Sequence, residues 1–442
     1  MELDKTTYQD LSIFNREEEF SLFHKLDFAT TAGGREYLRT LFSRPLNNIQ
    51  AIQQRQEMLR FINERNTAWP ATISNGTIVV IQNYLEAVIQ PISDARGLGS
   101  YVSAFMMRTF YAPDFGFIKF SFKQLVALLK GFHEFIDIYY TPDAPVILRT
   151  LMERVQKLLR QDEFDKILAV DARNGLNFVN ILQFDHFVRK KHKNVLWELL
   201  ELYTQLDAYY SMAKAIQHFN LQFPVIVDSA TPKIDIRQLY HIILPQPVSY
   251  DITLDPEQRF LFLTGANMAG KTTFIKAVGV AVFLAHIGMG VPARSMEVSF
   301  FDGILSNIQV QDNIFKGESY FFNEVQRIKN TVIKISDGKK WLILIDEMFK
   351  GTNMEDAKNC SLAVIRGLIK NSTCLYILST HLYEIAEELK DEKKIIFKYF
   401  ESEVLNDTMR FTYQLKDGIA KEKLGYLILK REKVLELLDA MK

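Results

Sequence analysis

Cysteine is nearly absent from this chain of 442 residues, which carries only Cys360 and Cys374. Two thiols exclude a disulfide-stapled scaffold and a four-thiolate metal site; both read as small core residues. An excess of charge of one sign is also missing. Lys+Arg and Asp+Glu each number 53, so whole-chain charge gives no argument for a nucleic acid or a membrane surface, and any such site must be a local patch. No uncharged apolar run reaches the roughly 18 residues that a membrane span needs. The opening MELDKTTYQDLSIF is acidic and polar, which excludes a signal peptide. No short repeat and no low-complexity stretch occurs. Together these absences predict a cytoplasmic globular protein with no membrane partner.

What is present is a chain rich enough in apolar residues, 48%, to exclude a mostly disordered state. At about 150 residues per domain its length predicts two or three domains. The first half reads as helical. Leu148, Leu151, Met152, Val155, Leu158 and Leu159 recur at spacings of three and four, one apolar face of an amphipathic helix. Leu196, Leu199, Leu200, Tyr203, Leu206, Tyr210, Ala213 and Ile216 repeat the pattern, and the two helices could pack as antiparallel arms. The texture changes near Leu221, where Gln222-Phe223-Pro224 and Thr231-Pro232 break the helical period. Short apolar runs follow at Arg259–Thr264, Lys340–Ile345 and Thr373–Ser379, with amphipathic stretches between them. Strands alternating with helices imply a mostly parallel sheet with helices on its faces. The expected fold is therefore multidomain: an all-α domain over residues 1–220, then an α/β P-loop domain of ABC-like type over 221–442.

The second half carries the chemistry. Gly265-Ala-Asn-Met-Ala-Gly270-Lys271-Thr272 matches the G-x-x-x-x-G-K-[ST] loop, with a buried-strand pattern before it and a helical one after it, the context that the motif requires. Glycines let backbone N–H groups turn inward around phosphates, Lys271 reaches the β- and γ-phosphates, and the Thr272 hydroxyl ligates Mg²⁺; the helix N-terminus adds a favourable dipole. Asp346 and Glu347 end the apolar run Leu342–Ile345. Asp346 would hold Mg²⁺ through water, and Glu347 is a candidate general base for the attacking water. The adjacent pair favours hydrolysis over transfer to a second substrate. Three further features sit in order: the segment Gly317–Glu324 containing Ser319, the run Phe349-Lys-Gly351-Thr352-Asn353, and Ser379-Thr380-His381. None is specific alone. Together they read as an ATPase in which two copies sandwich the nucleotide and each supplies a Ser to the other's γ-phosphate.

The segments GANMAGKTTF, GESYFFNEV, LILIDEMFKGTN and STH resemble the ATPase motifs of the MutS mismatch-repair family in identity, order and spacing. The likeness runs through HIGMGVPA to YQLKDGIAKEKLGY, and reaches the N-terminus in LDKTTYQDLSIF, LFHKLDFATTAGGREYLRTLFSRPL and IQQRQEML. Residues 70 to 190 match only in helical character. The resemblance implies that Gly265, Asn267, Ala269, Gly270, Lys271, Thr272 and Thr273 bind ATP phosphates. It implies that Asp346 and Glu347 handle magnesium and water, that His381 senses the γ-phosphate, that Ser319 acts across a homodimer formed through the ATPase domains, and that Val248 stands where the family stacks an adenine.

The departures shape the expected function. The chain begins where the family's core begins, so the mismatch-reading and connector domains are expected to have no counterpart. Only about 33 residues, 162 to 194, separate the two arm helices, too few for the usual DNA-clamp domain. The chain stops soon after Gly425, which predicts shortened dimerisation helices. Ala266 replaces the usual Pro, and Lys350 stands where Arg is common. The leading expectation is a dimeric ATPase whose helical arms engage DNA, of repair or recombination type rather than classical mismatch recognition. Arg189, Lys190, Lys191 and Lys193 form the basic cluster on which DNA binding would rest, although such a run also suits a solvated helix face. An ATP-driven switch that engages a protein partner without DNA is the alternative. A small-molecule P-loop kinase would leave Ser319 and His381 without purpose.

Overall fold

The computed structural model describes residues 1–65, 68–88, 109, 112–172, 177–308, 320–405, 408–420, 434–439 and 441. The chain divides into two compact units. One comprises Met1–Lys25, Arg44–Gln53 and His218–Lys442, the other Leu26–Ser43 and Gln54–Gln217. The change of texture near Leu221 thus falls within a few residues of a unit boundary. The first 25 residues and 44–53, however, belong with the α/β unit rather than with the helical one.

The reason lies in pairing and burial. Strand β1 (Glu2–Leu3) pairs in parallel with β7 (Gly303–Asn307). Helix α1 (Lys5–Asp10) is capped by Asp4, which accepts from the Thr7 amide at 2.7 Å. Asp10, only 2% exposed, accepts from the Ser306 hydroxyl at 2.6 Å and the Ile308 amide at 2.9 Å. A buried carboxylate is stable only when it is hydrogen-bonded in this way, so the N-terminal segment is a built part of the sheet's edge.

Elsewhere the α/β unit follows the apolar runs. β5 (Phe260–Thr264), β8 (Trp341–Asp346) and β9 (Cys374–Ser379) are buried along almost their whole length. Strands covered on both faces lose the in–out alternation and read as continuous apolar segments. With β10 (Ile395–Leu405) and β11 (Thr408–Asp417) they build a seven-stranded sheet of order β1-β7-β8-β9-β5-β10-β11, parallel except for the last hairpin. A second sheet has the order β2-β6-β3-β4, from Val225–Val227, Ser295–Ser299, Ile234–Leu239 and Tyr250–Leu254. Cys374 lies in the main core and Cys360 packs against it, the small-residue roles expected of them.

The helical unit contains the two expected amphipathic helices, Val146–Leu159 and Lys193–His218. Leu148, Met152, Val155, Leu158 and Leu159 are buried on the first, and Leu196, Leu199, Leu200, Tyr203 and Leu206 on the second. An ion pair from Arg154 to Glu198 links them. The longest described helix is Ala112–Tyr139, of 28 residues, which packs against Asn75–Glu86, Val146–Leu159, Asp162–Ala172 and Phe178–Lys191. Asp207, fully buried, accepts from the amides and hydroxyls of Thr30 and Thr31 at 2.7–3.1 Å. Among the described residues no helix is long and apolar enough to cross a membrane.

Candidate functional site

Neighbouring parallel strands β8, β9 and β5 carry Asp346, Glu347, His381 and the loop Gly265–Gly270 at or just beyond their C-terminal ends, where open α/β sheets place their ligands. After β5 the chain enters the loop Gly265–Gly270 and then helix Lys271–His286. The loop needs glycine at its two ends. Gly265 has φ +138, and a Cβ there would lie 3.1 Å from the Phe400 carbonyl oxygen. Gly270, at φ +110, caps the helix in the left-handed region, which L side chains enter only with strain. Met268, with φ 69, takes that conformation without being glycine. Ala269 is buried and its amide donates to the Ala266 carbonyl at 3.3 Å.

Lys271 is 5% exposed, and its ammonium donates to the carbonyls of Gly265 and Ala266 at 2.8 and 2.9 Å. Burial lowers its pKa, opposed by the nearby charges of Glu347 and Asp346. The Thr272 hydroxyl and the Ser379 hydroxyl both donate to the Asp346 carboxylate. A hydroxyl and a carboxylate held together at a strand end are hard oxygen donors of the kind Mg²⁺ takes.

Glu347 sits with φ 62, and its amide donates to the Ser379 carbonyl at 2.9 Å. Its carboxylate pairs with Lys350 at 2.9 Å and with His381 at 3.3 Å. Burial alone would raise its pKa, but hydrogen bonds and charge from His381 and Lys350 outweigh it and hold the group down at about 2. Glu347 is therefore a fixed anion held between the Lys350 ammonium and the His381 ring.

A cavity of about 630 Å³ opens over these groups, and Asn267, Lys271, Thr272, Thr273, Asp346 and Glu347 line it. Val248, Tyr250, Tyr413, Leu244, Pro245 and His241 line the same cavity. Val248 is thus placed with the rest, at 40% exposure. The sequence reading missed Tyr413, which lies about 140 positions from the loop. Its φ of 55 is unusual for a strand residue and turns its ring towards Gly270, where a Cβ would stand 3.5 Å from it. Such strain collects at ligand sites. His241 is held neutral, at a pKa of about 4, by burial and by Lys276. Ser319 lies outside the described residues, just ahead of helix Tyr320–Ile335.

The basic cluster needs a correction. Arg189 does not face outward, because its guanidinium grips buried Asp185 through two hydrogen bonds of 2.9 and 2.6 Å. Tyr84 donates to the same carboxylate at 2.6 Å. Asp185 stands four residues earlier on the same helix, the spacing that brings side chains together. Lys190, Lys191 and Lys193 are exposed, although Lys191 also lies over the Phe187 ring at 4.8 Å. The available patch has three lysines.

Comparison with known proteins agrees with the motif reading. The family model for MutS domain III matches residues 6–316, and that for MutS domain V matches 261–436. The chain belongs to the MutS family. Among the relatives of this MutS-family chain, the DNA mismatch repair protein MutS of Thermotoga maritima is 31% identical over 245 residues, 54% of this chain and 30% of that protein. The DNA mismatch repair protein MSH3 of Candida glabrata is 30% identical over 297 residues, 64% of this chain and 28% of that protein. The MSH3 protein of Vanderwaltozyma polyspora is 28% identical over 305 residues, 66% and 28% respectively. The matched region thus spans under a third of the length of these curated relatives. The domain V match contains the loop, Asp346, Glu347 and His381, and the domain III match contains Lys190, Lys191 and Lys193.

Proposed function

We propose that this MutS-family chain binds and hydrolyses ATP with Mg²⁺, works as a homodimer through its α/β units, and couples hydrolysis to DNA engaged by the helical unit. The observation that carries the reading is the convergence of Lys271, Thr272, Asp346 and Glu347 on one cavity beside Tyr413 and Val248. Lys271 exchanges its two loop carbonyls for β- and γ-phosphate oxygens. Thr272 and Asp346 would hold Mg²⁺, which when bound offsets the charge of those oxygens. Glu347 orients the attacking water and takes its proton, with His381 beside it at the γ-phosphate end. Ser319 of one copy completes the site of the other. Domain V matches and MutS relatives support the ATP reading; the relatives named for DNA mismatch repair support the DNA reading.

The deciding test is steady-state phosphate release, with and without Mg²⁺ and with mismatched, branched and single-stranded DNA. Mg²⁺-dependent turnover that responds to one DNA class supports the reading, and its absence overturns it. Turnover indifferent to every DNA, with no binding at low salt, would instead favour the switch acting on a protein partner.

Two outcomes follow from the geometry. Tyr413→Ala should raise the KM for ATP roughly two- to tenfold through loss of an aromatic contact worth about 0.5–1.5 kcal/mol. The kcat should hold; a fall in kcat with KM unchanged would mean that Tyr413 does not contact the adenine of bound ATP. Charge reversal at Lys190, Lys191 and Lys193 should weaken duplex binding about equally for all sequences. If all three touch phosphates, the slope of log affinity against log salt should flatten by roughly 2.7 per copy, at about 0.9 per contact. An unchanged slope would show that DNA, if bound, lies elsewhere.

A further inference from the structure

Glu324 is a buried carboxylate that the reaction as described above does not use. It lies on helix Tyr320–Ile335, is 5% exposed, and accepts from two consecutive backbone amides, those of Lys350 and Gly351, at 3.1 Å each. The peptide it grips is the turn directly after β8. That turn is strained: Glu347 and Phe349 both have left-handed φ angles, 62 and 59. Each such non-glycine residue is strained and persists only where its surroundings over-determine it.

The surroundings that do so can be named. On one side the Glu347 amide is tied to the Ser379 carbonyl. On the other the Glu324 carboxylate holds the amides at 350 and 351, and the Phe321 ring packs on Phe349 at 5.7 Å. Glu324, Glu347, Met348 and Phe349 line one small crevice. The direction of the Glu347 side chain is set by its backbone angles, and its partner Lys350 is itself the residue whose amide Glu324 holds. Loss of the grip would free both.

We infer that Glu324 is a positioning residue, which fixes the turn Glu347–Gly351 so that the Glu347 carboxylate points at the attacking water. The inference rests on the reading of Glu347 as the general base. It also ties the base to helix Tyr320–Ile335.

The test pairs Glu324→Ala with Glu347→Gln and their double variant in the full chain. Glu324→Ala should leave the Kd for ATP within about twofold while kcat falls roughly 10²-fold, the scale of a catalytic group displaced by about 1 Å. In the Glu347→Gln background the same change should have no further effect on kcat, because the group being aimed is already gone. Hydrogen exchange supplies a readout independent of turnover: the peptide spanning residues 348–353 should lose protection in Glu324→Ala while β8 keeps its own. Should the alanine variant fail to fold, Glu324→Gln serves, since it offers a single acceptor oxygen where each of the two N–H groups now has its own carboxylate oxygen, and its NH₂ cannot accept. Glu324→Asp, which keeps the charge, should restore part of kcat. If Glu347→Gln slows turnover but Glu324→Ala does not, or if the two losses simply multiply, the positioning role is overturned and the base survives. If Glu347→Gln itself turns over normally, the reading of the base fails and the positioning role with it.

Discussion

Glu347→Gln is expected to leave ATP binding intact while slowing hydrolysis by roughly 10²-fold or more, the usual contribution of a general base. Glutamine keeps the volume and can still fill the space between Lys350 and His381, so the phosphate loop should be undisturbed. What it removes is the negative charge that Lys350 and His381 face and the acceptor for the water's proton. ATP should then accumulate on the protein, visible as a stable complex in equilibrium binding beside a flat phosphate-release trace. Asp346→Asn is the useful companion, because it removes the carboxylate that Thr272 and Ser379 share and should lose the response to Mg²⁺ instead. Normal turnover in Glu347→Gln would sink the assignment.

Lys271→Ala and Ser319→Ala should each be nearly inactive alone, yet recover activity when mixed. A lysine so buried, with its ammonium on two loop carbonyls, has no role on the surface that would explain its place. Under the proposed reading, Ser319 acts by reaching a nucleotide held by another copy. In a mixed two-fold dimer, one site pairs an intact loop with an intact serine, and the other has lost both. Random pairing of equal amounts puts half of the dimers in the mixed state, each with one working site of two, so the mixture should reach about a quarter of the wild-type rate. No recovery in demonstrated mixed dimers would mean a site complete within one chain.

Legibility followed the physics of each signal. Phe260–Thr264, Trp341–Asp346 and Cys374–Ser379 could be read to within a residue, because a strand buried on both faces needs an unbroken apolar run and little else produces one. The loop Gly265–Gly270 was legible as a loop between strand and helix because its motif fixes glycines at fixed spacing. Tyr413 was not, since its place beside Gly270 depends on the β10–β11 pairing and on a strained backbone angle that leaves no mark in composition. Arg189 looked like its lysine neighbours, but Asp185 four residues earlier was a local signal of an ion pair that went unread. Glu324 stood inside a recognised motif, yet its partners are backbone amides, and no sequence pattern names those. The N-terminal segment reads as helical by its own letters. Only the pairing of β1 with β7 reveals which unit it serves.

That pairing sets the order in which the protein can be completed during synthesis. Glu2 and Leu3 meet Gly303 and Ile304, so the first strand leaves the ribosome about 300 residues ahead of its partner. At about 5–20 residues per second the delay is roughly 15–60 s. Within it the whole of Leu26–Gln217 has been made and can fold on local contacts. The β1 edge of the α/β unit can therefore close only after Gly303 and Ile304 have been made, and Asp10 waits as long for Ser306 and Ile308.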